Sequence, residues 1–451
     1  MKILGIETSC DETAASVVEL LESSRTSNQS TQTSAVRGAA EEAQRTVQSG
    51  TESEHRKSAT KHSAVSSTRV AGSASKQGAT VCRLLSNVVA SSMDLHKKYG
   101  GVVPEIAARS HIEAINPVIE QALYQAKYGQ GFGHNSGVAS SASQQAVTAD
   151  GLWDDIDAIA VTYGAGLGGS LLIGVLAART LAILHNKPLY ACNHVEGHVY
   201  ANFLTETPLK GYSLPSSQPQ FPLLALIVSG GHTQLVLFRD HFDYEILGRT
   251  QDDAIGEAFD KVAKIIGLPY PGGPSVAKEA AKGDPDKYTL PKAKLQGRFD
   301  FSFSGLKTAV LRLAQAECGV DYDFPSYKLP EKLSEAQKAN IAASFQRVAV
   351  ETVVDKAVSA FEAYQPKSVV IAGGVAANQE LRHQLEHRLS EAIAQQSDGK
   401  QTEVARILHY TDIKLCTDNA AMIAALGSFK MKLKQPTADP YSLDIAPNLS
   451  M

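Results

Sequence analysis

Short, wholly apolar runs that stop at glycines, separated by helical stretches, recur along this chain and constrain its fold more than any other feature. Ile156 to Val161 is one such run. Leu223 to Val228 is another, followed by Gly230-Gly231 and a strand-like stretch from Thr233 to Phe238. Val369 to Ala372 stops at Gly373-Gly374. Leu171 to Leu184 is also apolar, but it is too long and too rich in helix formers for a strand, and Ser344 to Tyr364 repeats apolar residues at helical spacing. Strands alternating with helices predict an α/β protein with largely parallel sheets, in which ligands sit beyond the carboxyl ends of strands. The glycine loops lie at such ends.

Three stretches interrupt the pattern. Residues 22–79 are dominated by Ser, Thr, Gln and Ala with almost no large apolar residues; such a segment cannot bury enough surface to offset its chain entropy, which predicts disorder. Residues 129–150 are rich in Gly, Ser and Gln, and 205–220 in Pro and Ser, which predicts surface loops. Outside them the composition is that of a globular protein, 43% hydrophobic and 20% charged over 451 residues. The formal net charge of −4 gives no global field for nucleic acid, so an RNA partner would need a local patch. The best local candidate is Lys292, Lys294, Arg298, Lys307 and Arg312. Five scattered cysteines (Cys10, Cys82, Cys192, Cys318, Cys416) form no CxxC pair and fit a reducing compartment. Met1 to Ile6 already reads as strand rather than targeting signal, and no apolar run approaches the roughly 20 residues that span a bilayer. These features predict a cytoplasmic protein.

Asn193-His194-Val195-Glu196-Gly197-His198 places two imidazoles at i and i+4, so on a helix both rings share a face and can chelate one ion. The best third ligand is Asp418, which follows a predicted strand at Ile413 to Cys416. Two His and one carboxylate leave open coordination positions suited to Lewis-acid work by non-haem iron or zinc. A surface His pair without metal is the bland alternative. In a zinc peptidase helix, Glu would directly follow the first His. Here Glu196 lies two residues on, about 200° around the helix, and points away.

Several loops could bring backbone close to a phosphate or adenosine. They are the turn after the first strand (Gly5 to Thr13), the hairpin-like Ser229 to Gln234, the rigid Pro271-Gly272-Gly273-Pro274, and Gly373 to Asn378, where a helix N-terminus would favour anions. Gly164-x-Gly166-x-x-Gly169 matches a dinucleotide fingerprint formally, but the next strand ends at Asn193-His194 with no acidic residue, so close packing is the better account. Asp253 to Leu268 is amphipathic, with Ile255, Phe259, Val262 and Ile266 on one side, and it runs into the Pro-Gly-Gly-Pro turn. From there Asp260 could reach a ribose hydroxyl.

Gly5-Ile6-Glu7-Thr8-Ser9-Cys10-Asp11-Glu12-Thr13 resembles the opening of the universal tRNA threonylcarbamoyltransferase family, formerly described as sialoglycoproteases. The likeness continues through Gly100 to Glu105, His194-x-Glu196-Gly197-His198, Val228 to Gln234, Gly256 to Lys261 and Tyr270 to Pro274. It ends with Phe301 to Lys307, Gly373 to Asn378 and Thr417-Asp418-Asn419, and Val102 to His111 looks like the bacterial and organellar branch. Ala165 and Ala420 depart from the family's usual Pro and Gly, and the insertion after Glu22 is unusual.

The resemblance implies the two-lobed fold of actin, Hsp70 and sugar kinases (ASKHA), with lobes at 1–219 and 220–415 and a metal-ligand loop and helix at 416–451 that returns to the first lobe. It implies one divalent ion, Fe2+ or alternatively zinc, on His194, His198 and Asp418. Ile227, Val228, Ser229, Gly230, Gly231, Asp260, Gly273 and Asn378 would bind threonylcarbamoyl-AMP. The group would pass to the exocyclic N6 amine of the adenosine just 3′ of the tRNA anticodon, with Glu12 a polar contributor to proton transfer. Implied partners are tRNA, a paralogous actin-like subunit and a small ATPase (TsaB- and TsaE-like), and no membrane. An actin-like ATPase or sugar kinase, or a non-catalytic scaffold, would share the same fold.

Overall fold

A computed structural model describes residues 1–22, 80–129, 149–396 and 404–451. Apart from their end residues, the stretches 22–79 and 129–150 lie outside the described residues. The first sheet is built from β1 (Lys2–Glu7), β2 (Glu12–Glu22), β3 (Thr80–Leu84), β4 (Val88–Ser91), β5 (Ala158–Gly164) and β6 (Leu189–Asn193). Helices α1 (Met93–Lys97) and α2 (Pro104–Tyr128) precede β5; α3 (Gly168–Leu184) joins β5 to β6, and α4 (His194–Tyr200) follows. The second sheet holds β7 (Leu223–Val228), β8 (Thr233–Asp240), β9 (Asp243–Arg249), β10 (Ser368–Ala372) and β11 (Leu408–Tyr410). Between β9 and β10 lie α5 (Ile255–Ile266), α6 (Gly272–Ala280), α7 (Ser304–Glu317) and α8 (Glu335–Tyr364); α9 (Gln379–Gln396) precedes β11, and α10 (Ala420–Lys432) comes last.

The two sheets repeat one plan. Their orders are β3-β2-β1-β5-β6 and β9-β8-β7-β10-β11. In each, the opening strand pairs antiparallel with its hairpin partner on one side and parallel with a crossover strand on the other. This duplicated α/β arrangement is the two-lobed fold that the resemblance implies. The sheets are mixed rather than largely parallel, because the tight links β1–β2 and β7–β8 can only return the chain antiparallel.

What lies between the sheets matters most for function. Residues Ala420 to Phe429 of α10 are buried without a break, as expected of a helix apolar on every face. The helix packs on β1, β5 and β6 and against α4, and α4 in turn touches β7 and β10. Small residues permit this approach. A Cβ at Gly5 would strike the Ala420 carbonyl and come within 2.6 Å of Ala424 N. One apolar cluster therefore runs from Ile3 and Ala160, through Ala424 and Val199, to Ile227 and Val370. Each fully buried Leu, Ile or Val there contributes about 1.5–3 kcal/mol against exposure.

One sequence expectation needs correction, whereas the loop expected at 205–220 is found. Ile413 to Cys416 is no strand but a 3-10 turn over Ile413–Leu415, because the Asp412 side chain accepts from Lys414 N–H and curls the backbone. Residues 205–220 have no helix or strand, yet they are held in place: Thr207 Oγ1 donates to the Leu84 carbonyl (2.8 Å), Arg83 pairs with Glu206 (2.8 Å), and Leu209 is buried.

Candidate active site

Asparagine caps set both ligand-bearing segments. Asn193 accepts from Val195 N–H (2.8 Å) and Glu196 N–H (3.3 Å), starting α4 at the residue that becomes the first imidazole. Asn419 accepts from Met422 N–H (3.1 Å) to start α10, and its amide donates to the Leu415 and Thr417 carbonyls, holding the turn that carries Asp418. The structure thus delivers His194 and His198 on the helix that directly follows the last strand of the first sheet, and Asp418 from the turn before the helix that follows the last strand of the second.

The three converge. Ligand atoms of His194, His198 and Asp418 lie within 4.8 Å of one another. Asp418 Oδ1 is 3.5 Å from His194 Nε2 and 3.4 Å from His198 Nε2. Both rings are buried, and neither nitrogen of His198 has a hydrogen-bond partner. Leaving a buried imidazole so unsatisfied is costly unless something else takes the lone pair. Behind His194, Nδ1 meets Ser9 Oγ at 3.1 Å and Glu7 Oε2 at 3.3 Å. Burial opposes charge on His194, but Asp418 and Glu7 together raise its pKa to about 9. The same negative field favours a divalent cation between the ligands. Two imidazoles and a carboxylate, partly open to the cleft through the 22% exposed Asp418, fit Fe2+ or Zn2+.

Asp418 lines a cleft of ≈ 1420 Å³. Ser229, Gly230, Asp260, Gly273, Asn378 and Glu12 all line it. Of the other residues named from the sequence, Ile227 and Val228 are fully buried within β7 and contribute strand rather than surface. Gly231 sits exposed at the tip of the β7–β8 turn and is not part of the wall. That turn is closed on itself: Ser229 N–H donates to the His232 carbonyl (2.8 Å) and His232 N–H to Ser229 Oγ (3.1 Å). Asp260 Oδ1 accepts from Gly272 N–H at 2.6 Å, which locks α5 to the start of α6. Asn378 is held twice, accepting from Leu381 N–H (3.1 Å) and donating to Gln346 Oε1 (3.0 Å).

Burial, helped by Asp418 and Asp11, pushes the Glu12 carboxyl up to about 10, whereas a cation nearby would work in the opposite direction. The Cys10 thiol is also driven up by burial and by Asp418, which removes it as a nucleophile. His232 falls to about 4 through burial and its proximity to His194 and His198. Glu196 is buried with Oε1 unpartnered and is absent from the ligand cluster, in keeping with its helical phase. Three of the five cations in the basic stretch are engaged within the protein, while Lys294 and Arg298 are exposed. Lys292 pairs with Asp355 (2.7 Å) and Glu351 (3.0 Å), Lys307 pairs with Asp253 (2.9 Å), and Arg312 lies over the Tyr322 ring. Sequence reasoning missed Glu7, Thr162 and His232 as neighbours of the centre. Glu7 and His232 had as their only signal a place inside motifs whose contacts are long-range, and Thr162 lay in no motif.

The family model for TsaD, tRNA N6-adenosine threonylcarbamoyltransferase, matches residues 83–131 and 134–425. The chain belongs to this family. A tRNA N6-adenosine threonylcarbamoyltransferase of Symbiobacterium thermophilum is 46% identical over 347 residues, covering 77% of this chain and 85% of that protein. One from Caldicellulosiruptor saccharolyticus is 38% identical over 451 residues, covering 100% of this chain and 98% of that protein. Among solved structures, the ROK hexokinase of Thermus thermophilus aligns with 97% of this chain and 100% of its own at 15% identity and a TM-score of 0.38.

Proposed function

We propose that this TsaD-family chain is an acyltransferase that moves the threonylcarbamoyl group from threonylcarbamoyl-AMP to the N6 amine of the adenosine 3′ of the anticodon, in tRNAs reading codons that begin with adenine. The new bond is N6–C(carbamoyl), the bond broken joins that carbon to the phosphate oxygen, and AMP leaves with the electron pair. The N6 amine is a poor nucleophile because its lone pair is delocalised into the purine, so the donor must be activated and held in place. When bound at His194, His198 and Asp418, a divalent cation, Fe2+ or Zn2+, supplies Lewis-acid stabilisation of developing negative charge.

The chain's own residues do the rest. Added Cβ atoms at Gly230, Gly273 and Gly374 would meet nothing in the protein within 4 Å, although all three glycines line the cleft. Packing does not demand glycine there, and what glycine leaves is room for a ligand against bare backbone. Asp260, fixed by Gly272, presents its carboxylate at the same wall, placed to accept from a ribose hydroxyl. Ser229 and Asn378 lie on the same cleft as adenylate contacts. Glu12, beside Asp418, is the candidate to relay the N6 proton.

The observation that carries this reading is the ligand trio opening onto a glycine-walled cleft. No helix among the described residues is long and apolar enough to cross a membrane. We place the reaction in the cytoplasm, with a paralogous actin-like subunit and a small ATPase as partners. Mass spectrometry of nucleosides from tRNA of cells depleted of the protein tests it. Threonylcarbamoyladenosine should fall, and an unchanged level would overturn the assignment.

A further inference from the structure

The two histidines of the metal centre face the same carboxylate, but they are not supported alike. His198 Nδ1 is buried without a hydrogen-bond partner. His194 Nδ1 has Glu7 Oε2 at 3.3 Å and Ser9 Oγ at 3.1 Å. Glu7 is fully buried in β1, where an isolated carboxylate would be prohibitively costly. Donors surround it: Oε1 accepts from Ser9 N–H at 2.6 Å, and Oε2 accepts from the Thr162 hydroxyl. With both oxygens already accepting, the carboxylate is held as an acceptor. The ring nitrogen that faces it must therefore carry the hydrogen, which leaves Nε2, 3.5 Å from Asp418, as the nitrogen that gives up its proton and offers a lone pair when a cation binds. The Ser9 hydroxyl alone could not decide this, since it can give or take a hydrogen with equal ease.

We propose that Glu7 is a positioning residue that fixes the tautomer and orientation of His194, presenting Nε2 to a divalent cation shared with His198 and Asp418. The inference rests on the metal reading above. It separates the roles of the two rings: His194 is the pre-set ligand, and His198 has no hydrogen-bonding group behind its Nδ1 to fix its tautomer.

Glu7→Gln keeps size and shape but reverses the logic. With its oxygen taken by Ser9 N–H, its amide nitrogen meets Thr162 and His194, donates to Nδ1, and moves the ring hydrogen to Nε2. Zn2+ affinity, read by competition with a chromophoric chelator, should fall about 10–100-fold, while Ser9→Ala should stay within about threefold of wild type. The visible absorption of the Co2+-loaded protein should change in Glu7→Gln and persist in Ser9→Ala. Unchanged Zn2+ affinity in Glu7→Gln, or an equal loss in Ser9→Ala, would overturn the proposal. Imidazole nitrogen-15 shifts of the Zn2+-loaded wild type need no variant and guard against a Glu7→Gln protein that does not fold. Ligation through Nε2 with hydrogen on Nδ1 supports the proposal, and ligation through Nδ1 overturns it. Wild-type protein that takes up neither ion overturns the metal reading and this inference together. Tight wild-type binding with an indifferent Glu7→Gln overturns the inference alone.

Discussion

Asp418 meets both imidazoles, so its charge rather than its shape should decide whether the centre holds an ion. Asp418→Asn preserves the outline and removes the charge. Metal retained after gel filtration, measured by elemental analysis, is expected to drop to substoichiometric levels, and transfer activity should drop with it. His194→Ala should do the same, with a loss at least as large as the ~10–100-fold that altering a group behind a ligand produces. Full metal content in either variant would remove the centre from the reaction. The glycines of the cleft call for the opposite kind of test. Because a Cβ at Gly273 meets open space, Gly273→Val should leave the unfolding midpoint near wild type while crowding the ligand. Overpacking by about 1–3 kcal/mol corresponds to a loss of adenylate affinity of roughly five- to 150-fold in a direct binding titration. A variant that is destabilised yet binds normally would show that glycine serves the fold there.

At the scale of elements, the last segment of the chain holds the loop beside the site. Arg179 on α3 donates to the carbonyls of Pro440 (2.7 Å), Tyr441 (2.6 Å) and Leu443 (3.2 Å). Ala446 N–H then reaches the Tyr163 carbonyl (2.7 Å), Gly166 N–H the Pro447 carbonyl (3.1 Å), and the Asn193 amide the Ser450 carbonyl (3.2 Å). Arg179→Ala removes three charge-assisted bonds and should cost about 2–4 kcal/mol where it counts locally. Faster amide exchange at Ala446 and Gly166, with the second sheet unaffected, is the expected readout. None of this was legible in the sequence, because Arg179 meets its partners more than 260 positions away. Local features were legible. The apolar runs ending in Gly-Gly emerged as β7 and β10, and the amphipathic stretch after Asp253 as α5, since each depends on near neighbours. Ile413 to Cys416 misled because three apolar residues in a run of four cannot separate strand from turn; the telling residue was Asp412, which caps the turn. The ligand trio could be assembled from residue chemistry and family motifs, whereas Glu7, 187 positions from His194, could not.

Across the whole molecule, the halves are joined by an aromatic seam as well as by α4 and α10. His241, at the β8–β9 turn, stacks on Phe429 of α10 (4.4 Å between centroids), and its Nδ1 meets the Tyr200 hydroxyl beside α4 at 3.0 Å. Burial lowers its pKa to about 4, with Asp240 opposing and Lys432 assisting. Between about 4 and the ordinary 6.5 the unfolded chain binds this proton and the folded one does not. The stabilisation is therefore complete above the upper value and is lost as pH falls through the window. Chemical unfolding of wild type and His241→Phe between these limits should show a shallower pH slope in the variant, and parallel slopes would refute the assignment. The same seam has a consequence for biosynthesis. The inner face of β1 is covered by α10, the helix farthest from it in sequence among the described residues, and the last ligand stands at its threshold. A ribosome must pass Asp418 before β1 gains that cover, so a cation held by all three ligands can be captured only after the strands of both sheets have been made.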